Sequence, residues 1–358
     1  MTGPTRSTPG YTIPIKRMRT FVAVALHQGW DIDTILRDAN IPPALLADGR
    51  SRVTSDQAAI VVRALWELTD DELLGFGPAP APIGTFRLLA SAMLSNAHTL
   101  GEMIERCQDF NRALPGTPPL IVTHHGHEST ITFDLTMLER PVALLIDALL
   151  SVCHRVAEWA VGQQVPLLRV ELPYPRPEEV DDYDPIFGAP IVFDAPAPAL
   201  ILDSRELLRP LLRTEADLDE FLARAPHDLL VRRNNGASFT DRVRRLMVRR
   251  KENQWPTAVE LATALATSPQ TLRRRLNDEG TSIRAIREDV LRDAAIESLA
   301  RGQETVAALA QRLGFSEPST FIRAFRRWTG SAPRSYQPRT AEDTEQRAGP
   351  TITQGRIS

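Results

Sequence analysis

Cysteine is nearly absent: the 358 residues include two, Cys107 and Cys153. Both fall in helical-looking segments without the short spacings of a metal knuckle. That excludes a disulfide scaffold and a zinc site, and it suits the reducing cytoplasm, the expected location. Long apolar runs are missing too. The greasiest stretch, 142–161, is interrupted by Asp147, His154, Arg155 and Glu158, so a buried helix is expected there rather than a membrane span. Residues 1–10 are rich in Gly, Pro, Ser and Thr with no apolar run, and no secretory leader is expected. No GxSxG, Walker or HExxH string occurs, and Gly75-Phe76-Gly77-Pro78 is too short and proline-bound to cradle a phosphate. An enzyme, a resident metal and a cofactor are therefore not expected. The polar ends, 1–14 and 339–358, read as disordered tails.

A strong net charge is also lacking, but the small total of −3 conceals a split. Residues 238–338 carry 18 Lys+Arg against 11 Asp+Glu, a balance of +7, which leaves −10 for the remainder. All of those 18 except Lys251 are arginine, the side chain that grips phosphate, or the O6/N7 edge of guanine, with two parallel hydrogen bonds. A basic module joined to an acidic one fits one half that meets phosphates and another that does not.

Within the basic module a helix-turn-helix pattern occurs twice. In the second copy Leu309, Ala310 and Leu313 form a thin packing face, and Gly314 stands where a tight turn wants positive φ. Ser316 is the expected cap of the next helix, with Pro318 in its first turn. Phe321, Phe325 and Trp328 recur at i, i+4 and i+7 as one apolar stripe. Ser319, Thr320, Arg323, Arg326 and Arg327 are left for the other side, which reads as a DNA-recognition face. The first copy lies about 48 residues earlier. Thr257 and Glu260 make a capping box ahead of Val259, Leu261, Ala262 and Leu265; Ala266-Thr267 turn, Ser268 caps and Pro269 opens the next helix. Leu272 and Leu276 are expected inside, with Gln270, Thr271, Arg273, Arg274 and Asn277 toward DNA. The offset grows from 48 (Leu261 to Leu309) to 49 (Leu272 to Phe321), so the second turn holds one extra residue. A helix over about 282–299, burying Ile283, Ile286, Val290, Ala294 and Ile296, joins the units. A leading helix over 238–250 buries Val243, Leu246 and Met247.

Seven helices in this order and spacing, ending in Gly330, Pro333 and Tyr336, resemble the DNA-binding domain of the AraC/XylS family of bacterial transcription regulators. Ala332 and Gln337 depart from the family's usual Ser/Thr before the proline and Arg after the tyrosine. The resemblance implies sequence-specific DNA binding, contact with RNA polymerase, and activation as the family tendency.

The acidic part, 15–225, reads as α+β: a small, mainly antiparallel sheet against helices. Helices are expected over 18–28, 31–39, 55–69, 84–94 and 100–111, with Thr54, Thr85 and Thr99 as caps. A hairpin is expected over 120–124 and 130–135, then a long helix after Pro141 and a strand over 167–172. A helical turn near 178–183, strands over 191–193 and 199–202, and a last helix over 205–223 complete it. Residues 226–237, with Asn234-Asn235-Gly236, read as the linker. The layout, including Phe187-Gly188-Ala189-Pro190-Ile191-Val192-Phe193, is similar to the sensor domain of the AraC branch that includes regulators of ornithine use, rather than to the small barrel of the arabinose regulator. That similarity implies a small-molecule effector of unspecified identity, a homodimer, or both.

Polar residues of this half have plain readings beside functional ones. His124, His125 and His127 lack a ligand partner at recognisable spacing and read as an exposed hairpin turn. Asp147 and His154 share one face of an apolar helix; they are candidate effector contacts, or satisfied core groups. Arg87 and Arg112 could meet a carboxylate effector, or be surface charges. Two other functions stay open at this level: an architectural DNA-binding protein, and an enzyme with a DNA-binding tail. The second needs an activated thiol that neither cysteine's surroundings suggest.

Overall fold

A computed structural model describes residues 12–138, 142–177, 183–223, 225, 239–249, 255–302 and 304–338. The expected linker 226–237 and the tail 339–358 lie outside the described residues. The chain opens with β1 (Thr12–Pro14), α1 (Ile15–His27), α2 (Ile32–Asp38), α3 (Pro43–Ala47), β2 (Arg52–Thr54) and α4 (Ser55–Thr69). Residues 12–14, expected within a disordered tail, are instead buried and pair antiparallel with β2, Thr12 opposite Thr54. Thr54 then caps α4, its hydroxyl accepting from the Gln57 amide while the Gln57 side chain accepts in return. That reciprocal box satisfies two backbone donors that a helix start leaves open.

Next come α5 (Thr85–Leu94), α6 (Leu100–Asn111), β3 (Leu120–His125), β4 (Glu128–Phe133), α7 (Ala143–Ala160), β5 (Leu167–Glu171), α8 (Tyr183–Phe187), β6 (Ile191–Val192), β7 (Ala199–Asp203) and α9 (Glu215–Ala223). The five strands form one open sheet in the order β3-β4-β7-β5-β6, antiparallel except for β5 with β6. The central strand β7 is buried through Ala199, Leu200, Ile201 and Leu202, as a strand covered on both faces must be. Helices α5, α6, α7 and α9 share its core through Met93, Met103, Leu150 and Phe221. The outer edge of β3 is closed from within: the Leu120 and Val122 amides donate to the side chains of Asn111 and Gln108 on α6. An edge strand covered in this way is a poor template for another chain.

Two local expectations are corrected. The helix expected over 205–223 is two pieces, a 3₁₀ turn at Ser204–Leu208 and then α9. Pro210 has no amide to donate and pushes Arg209 into an extended conformation (φ −66°, ψ 135°). The freed stretch pairs elsewhere, the Leu211 and Leu212 amides donating to the His98 and Ala160 carbonyls. Thr85 does not cap α5; Gly84 does, at φ 103°, and the Thr85 hydroxyl donates to the Pro82 carbonyl. The helical turn expected near 178–183 falls largely outside the described residues, and α8 begins at Tyr183.

The remaining helices are α10 (Phe239–Val248), α11 (Ala258–Ala264), α12 (Pro269–Asp278), α13 (Ile283–Arg301), α14 (Val306–Arg312) and α15 (Pro318–Thr329), followed by a 3₁₀ turn at Pro333–Tyr336. Where seven helices were expected, six and this turn lie among the described residues. Apolar contacts fall into three clusters. One is the sheet with its helices. The second joins α10, α11, α12 and the start of α13. The third combines β1 to α4 with the end of α13, α14 and α15.

Candidate nucleic-acid interface

The two helix-turn-helix units repeat in atomic detail. In the first, the Thr257 hydroxyl accepts from the Glu260 amide and the Glu260 carboxylate from the Thr257 amide. Ala266 turns the chain at φ 49°, and the Thr267 amide reaches back 2.9 Å to the Ala262 carbonyl. In the second, Gly314 turns at φ 88° and the Phe315 amide reaches Ala310 at the same 2.9 Å. Alanine at positive φ is sterically disfavoured, so the first turn holds a mild strain that glycine removes from the second. Ser268 caps α12, its hydroxyl accepting from the Thr271 amide. Ser316 does not cap α15: the cap position is Glu317, whose side chain accepts from none of the helix's backbone amides. The repeat offset accounts for this, since residue 268 advanced by 49 is 317, and Pro269 advanced by 49 is Pro318.

On α12, Leu272 and Leu276 are buried while Gln270, Arg273, Arg274 and Asn277 are exposed. Thr271 is half-buried and shares a 2.9 Å hydroxyl contact with Ser268, so part of its bonding capacity goes to the cap. Arg275, which the sequence left unassigned, lies over the Phe239 ring at 5.2 Å and braces α12 against α10. On α15, Phe321, Ala324 and Phe325 are buried and Trp328 is half-buried; Ser319, Thr320, Arg323, Arg326 and Arg327 are exposed. The Ser319 hydroxyl donates to Glu317, and Arg327 stands 3.5 Å from Glu288, an exposed pair that phosphate could compete with. Each unit thus presents an arginine-bearing face opposite its apolar stripe, the arrangement of a helix that enters a groove.

Two burial expectations differ. Val259 is 63% exposed, because α11 is a two-turn helix whose inner face is filled by Leu261 and Ala262. On α13 the fully buried residues include Leu291, Asp293, Ala295 and Leu299, while Ala294 and Ile283 are half-buried. This helix runs through two cores and has no single buried stripe.

Asp293 is a site that sequence reasoning missed. It is 1% exposed and accepts from the Thr12 hydroxyl (2.6 Å), Arg244 (2.5 Å) and Arg292 (3.1 Å). Burial pushes its pKa up, but the Arg292, Arg244 and Arg52 guanidiniums and the Thr12 hydroxyl outweigh that and hold it at about 2. A carboxylate on α13 at 100° steps from leucines gave no local cue, since its partners lie up to 281 residues away.

The candidate effector residues are not brought together. Arg87 is exposed and paired with Asp219 on α9, and Arg112 is an exposed residue at the end of α6. Asp147 is buried, accepting from Arg17 at 2.8 Å and from the Tyr174 hydroxyl. Arg17 also lies over the Tyr183 ring, 5.3 Å from its centre. Burial and the Asp147 charge push the Tyr174 pKa up, so this phenol stays a donor. His154, likewise buried, donates from Nε2 to the Val165 carbonyl at 2.8 Å. It also lines a narrow apolar recess between α6, α7 and the sheet with Leu100, Ile104, Ile131, Cys153 and Leu202. His124, His125 and His127 are exposed at the hairpin tip, His124 meeting the Ser129 hydroxyl at 2.8 Å. Burial pushes the Cys153 thiol up to about 12 and Cys107 higher still, which leaves both far from a thiolate nucleophile. Among the described residues, no helix is long and apolar enough to cross a membrane.

The family described as the arabinose-binding domain of AraC transcription regulators matches residues 29–211, and a helix-turn-helix domain family matches 261–339. The ornithine utilization regulator of Pseudomonas aeruginosa is 29% identical over 251 residues, 70% of this chain and 74% of that one. The HTH-type transcriptional regulator Rv1395 of Mycobacterium tuberculosis is 27% identical over 347 residues, 91% of this chain and 96% of its own. The crystal structure of the regulator CdpR from Pseudomonas aeruginosa aligns over 89% of this chain and 96% of its own, at 21% identity and a TM-score of 0.30. The chain belongs to the AraC family of transcription regulators, and it is a DNA-binding protein with an effector-binding N-terminal region and not an enzyme.

Proposed function

We propose that this regulator acts in the cytoplasm as a sequence-specific activator that answers to a small molecule. Its recognition helices α12 and α15 enter successive major grooves on one side of the duplex, about 34 Å apart. Gln270, Thr271, Arg273, Arg274 and Asn277 meet DNA from the first, and Ser319, Thr320, Arg323, Arg326 and Arg327 from the second. The observation that carries this reading is the pair of exposed arginine faces opposite the buried Leu272/Leu276 and Phe321/Phe325 stripes. Residues 15–225 hold the effector and dimerise, and 226–237 is the joint. A dimer gains affinity because the second DNA-binding half is held at high effective concentration near a repeated half-site. The activating contact is with RNA polymerase.

Arg274→Ala and Arg323→Ala should each weaken binding to a duplex selected from a random pool by about 1–3 kcal/mol, the worth of a bidentate base contact. The check is titration of that duplex and of a scrambled one at fixed salt. Equal losses on both would make the arginine a phosphate contact and remove it from the set that reads sequence.

A further inference from the structure

The two DNA-binding units are held differently. The first has a core of its own: Phe239, Val243 and Met247 of α10 pack with Leu261, Leu272 and Leu276. The second does not. Leu309, Phe321, Phe325 and Tyr336 share one core with Ile15, Met18, Leu45, Val53 and Leu65 from the first part of the chain. A polar seam follows the same boundary. The Arg52 amide donates to the Tyr336 hydroxyl at 3.1 Å, and the Asn40 side chain to the Ala300 carbonyl at 3.2 Å. Ser51 and Ser331 hydroxyls meet at 3.3 Å, and Thr12 reaches Asp293 at 2.6 Å. At Gly330, the φ 75° end of α15, the Asp48 carboxylate occupies the space a Cβ would take, so that side chain reaches the end of α15 only because the residue there is glycine.

The N-terminal segment is also tied to the sheet half. Arg17 on α1 makes its 2.8 Å ion pair with Asp147 on α7, with side-chain exposures of 13% and 7%. An ion pair so shielded is little screened by salt, and losing one partner leaves the other charge buried. Leu144, in the first turn of α7, also packs against the shared core.

We propose that residues 12–74 are the coupling element of this regulator: they complete the core of the second helix-turn-helix unit and, through Arg17 and Asp147, make the placement of α15 depend on α7 of the sheet half. The first unit stands on its own core and is the constant one; the second is conditional. An effector that shifts α7 would alter how α15 is held while leaving α12 in place, so the distance and angle between the two recognition faces become the regulated quantity. Coupling of this kind needs an element whose equilibrium both ends bias, and a module that shares a core with one end and a buried ion pair with the other meets that requirement. The proposal rests on the DNA-binding reading for its meaning, but its structural content is measurable without DNA or effector.

The test is amide hydrogen exchange on the full chain, comparing Arg17→Ala and the shape-preserving Asp147→Asn with wild type. Both variants should speed exchange in α14 and α15 by about tenfold while α11 and α12 keep wild-type rates. The paired substitution Ser51→Cys with Ser331→Cys should cross-link under mild oxidation, the native thiols being held far from the thiolate form. In the Arg17→Ala or Asp147→Asn background, that cross-link should restore protection of α15. Equal acceleration in both helix-turn-helix units, no change in either, or a cysteine pair that stays reduced in the folded chain would each overturn the proposal. Loss of sequence preference in the arginine variants would leave these readouts untouched, so the two readings fail separately.

Discussion

Asp293→Ala is expected to destabilise the full chain by about 3–5 kcal/mol, because it strands buried cations around a vanished carboxylate. Arg244 reaches this carboxylate from α10 at 2.5 Å with only 11% of its side chain exposed, and it cannot turn to water without unpacking that helix. Thr12 loses its acceptor at the same moment. The sign of the pH dependence follows from the depressed pKa of about 2 against an ordinary value of 3.8. The contribution is fully present above the unfolded value and is lost as pH falls from about 4 through 2, roughly 2 kcal/mol in all. Denaturant midpoints of wild type and Asp293→Asn should therefore converge as the pH is lowered through that window. Parallel curves from pH 6 to 2 would mean that the charge on Asp293 contributes nothing to stability.

Phe325→Ala should cost a comparable amount, about 3–5 kcal/mol, by a different route. The ring is fully buried, its centre 5.7 Å from Phe321 and 5.1 Å from Tyr336, the latter edge-on. Removing it leaves a cavity bounded by rigid rings that cannot collapse into the space, and edge-to-face pairs add to the loss beyond area alone. Because this core also contains Ile15, Met18 and Leu65, the loss should appear in the N-terminal helices as well as in α15. A circular-dichroism melt superimposable on wild type would show that the wrong face of α15 has been taken as buried.

Much of the candidate interface was legible from local pattern. Thr257 with Glu260, Ser268 before Pro269, Gly314, and Phe321 with Phe325 are signals that act within one or two helical turns, and the folded chain uses each of them. Two further features are written in the same local pattern. The 49-residue offset places the second cap at Glu317 rather than Ser316, and Pro210 stands inside the helix drawn over 205–223. The effector side was less legible. Asp147 and His154 do share a buried face of α7, but their partners Arg17, Tyr174 and Val165 come from other elements, and no period in the chain announces them.

Local pattern alone announced two arginine-faced helix-turn-helix units behind an α+β region, because capping, turn chemistry and 3.6-residue periodicity are set by neighbours along the chain; the regulator reading came from the resemblance those units carry. Local pattern also determined which arginines face outward, since the apolar stripe leaves them nowhere else to go. It took the folded chain to show that the second unit borrows its core from residues 12–74, and that α13 buries a carboxylate between both units. Apolar periodicity states that a face must be covered; it does not state which segment, some 280 residues away, will cover it.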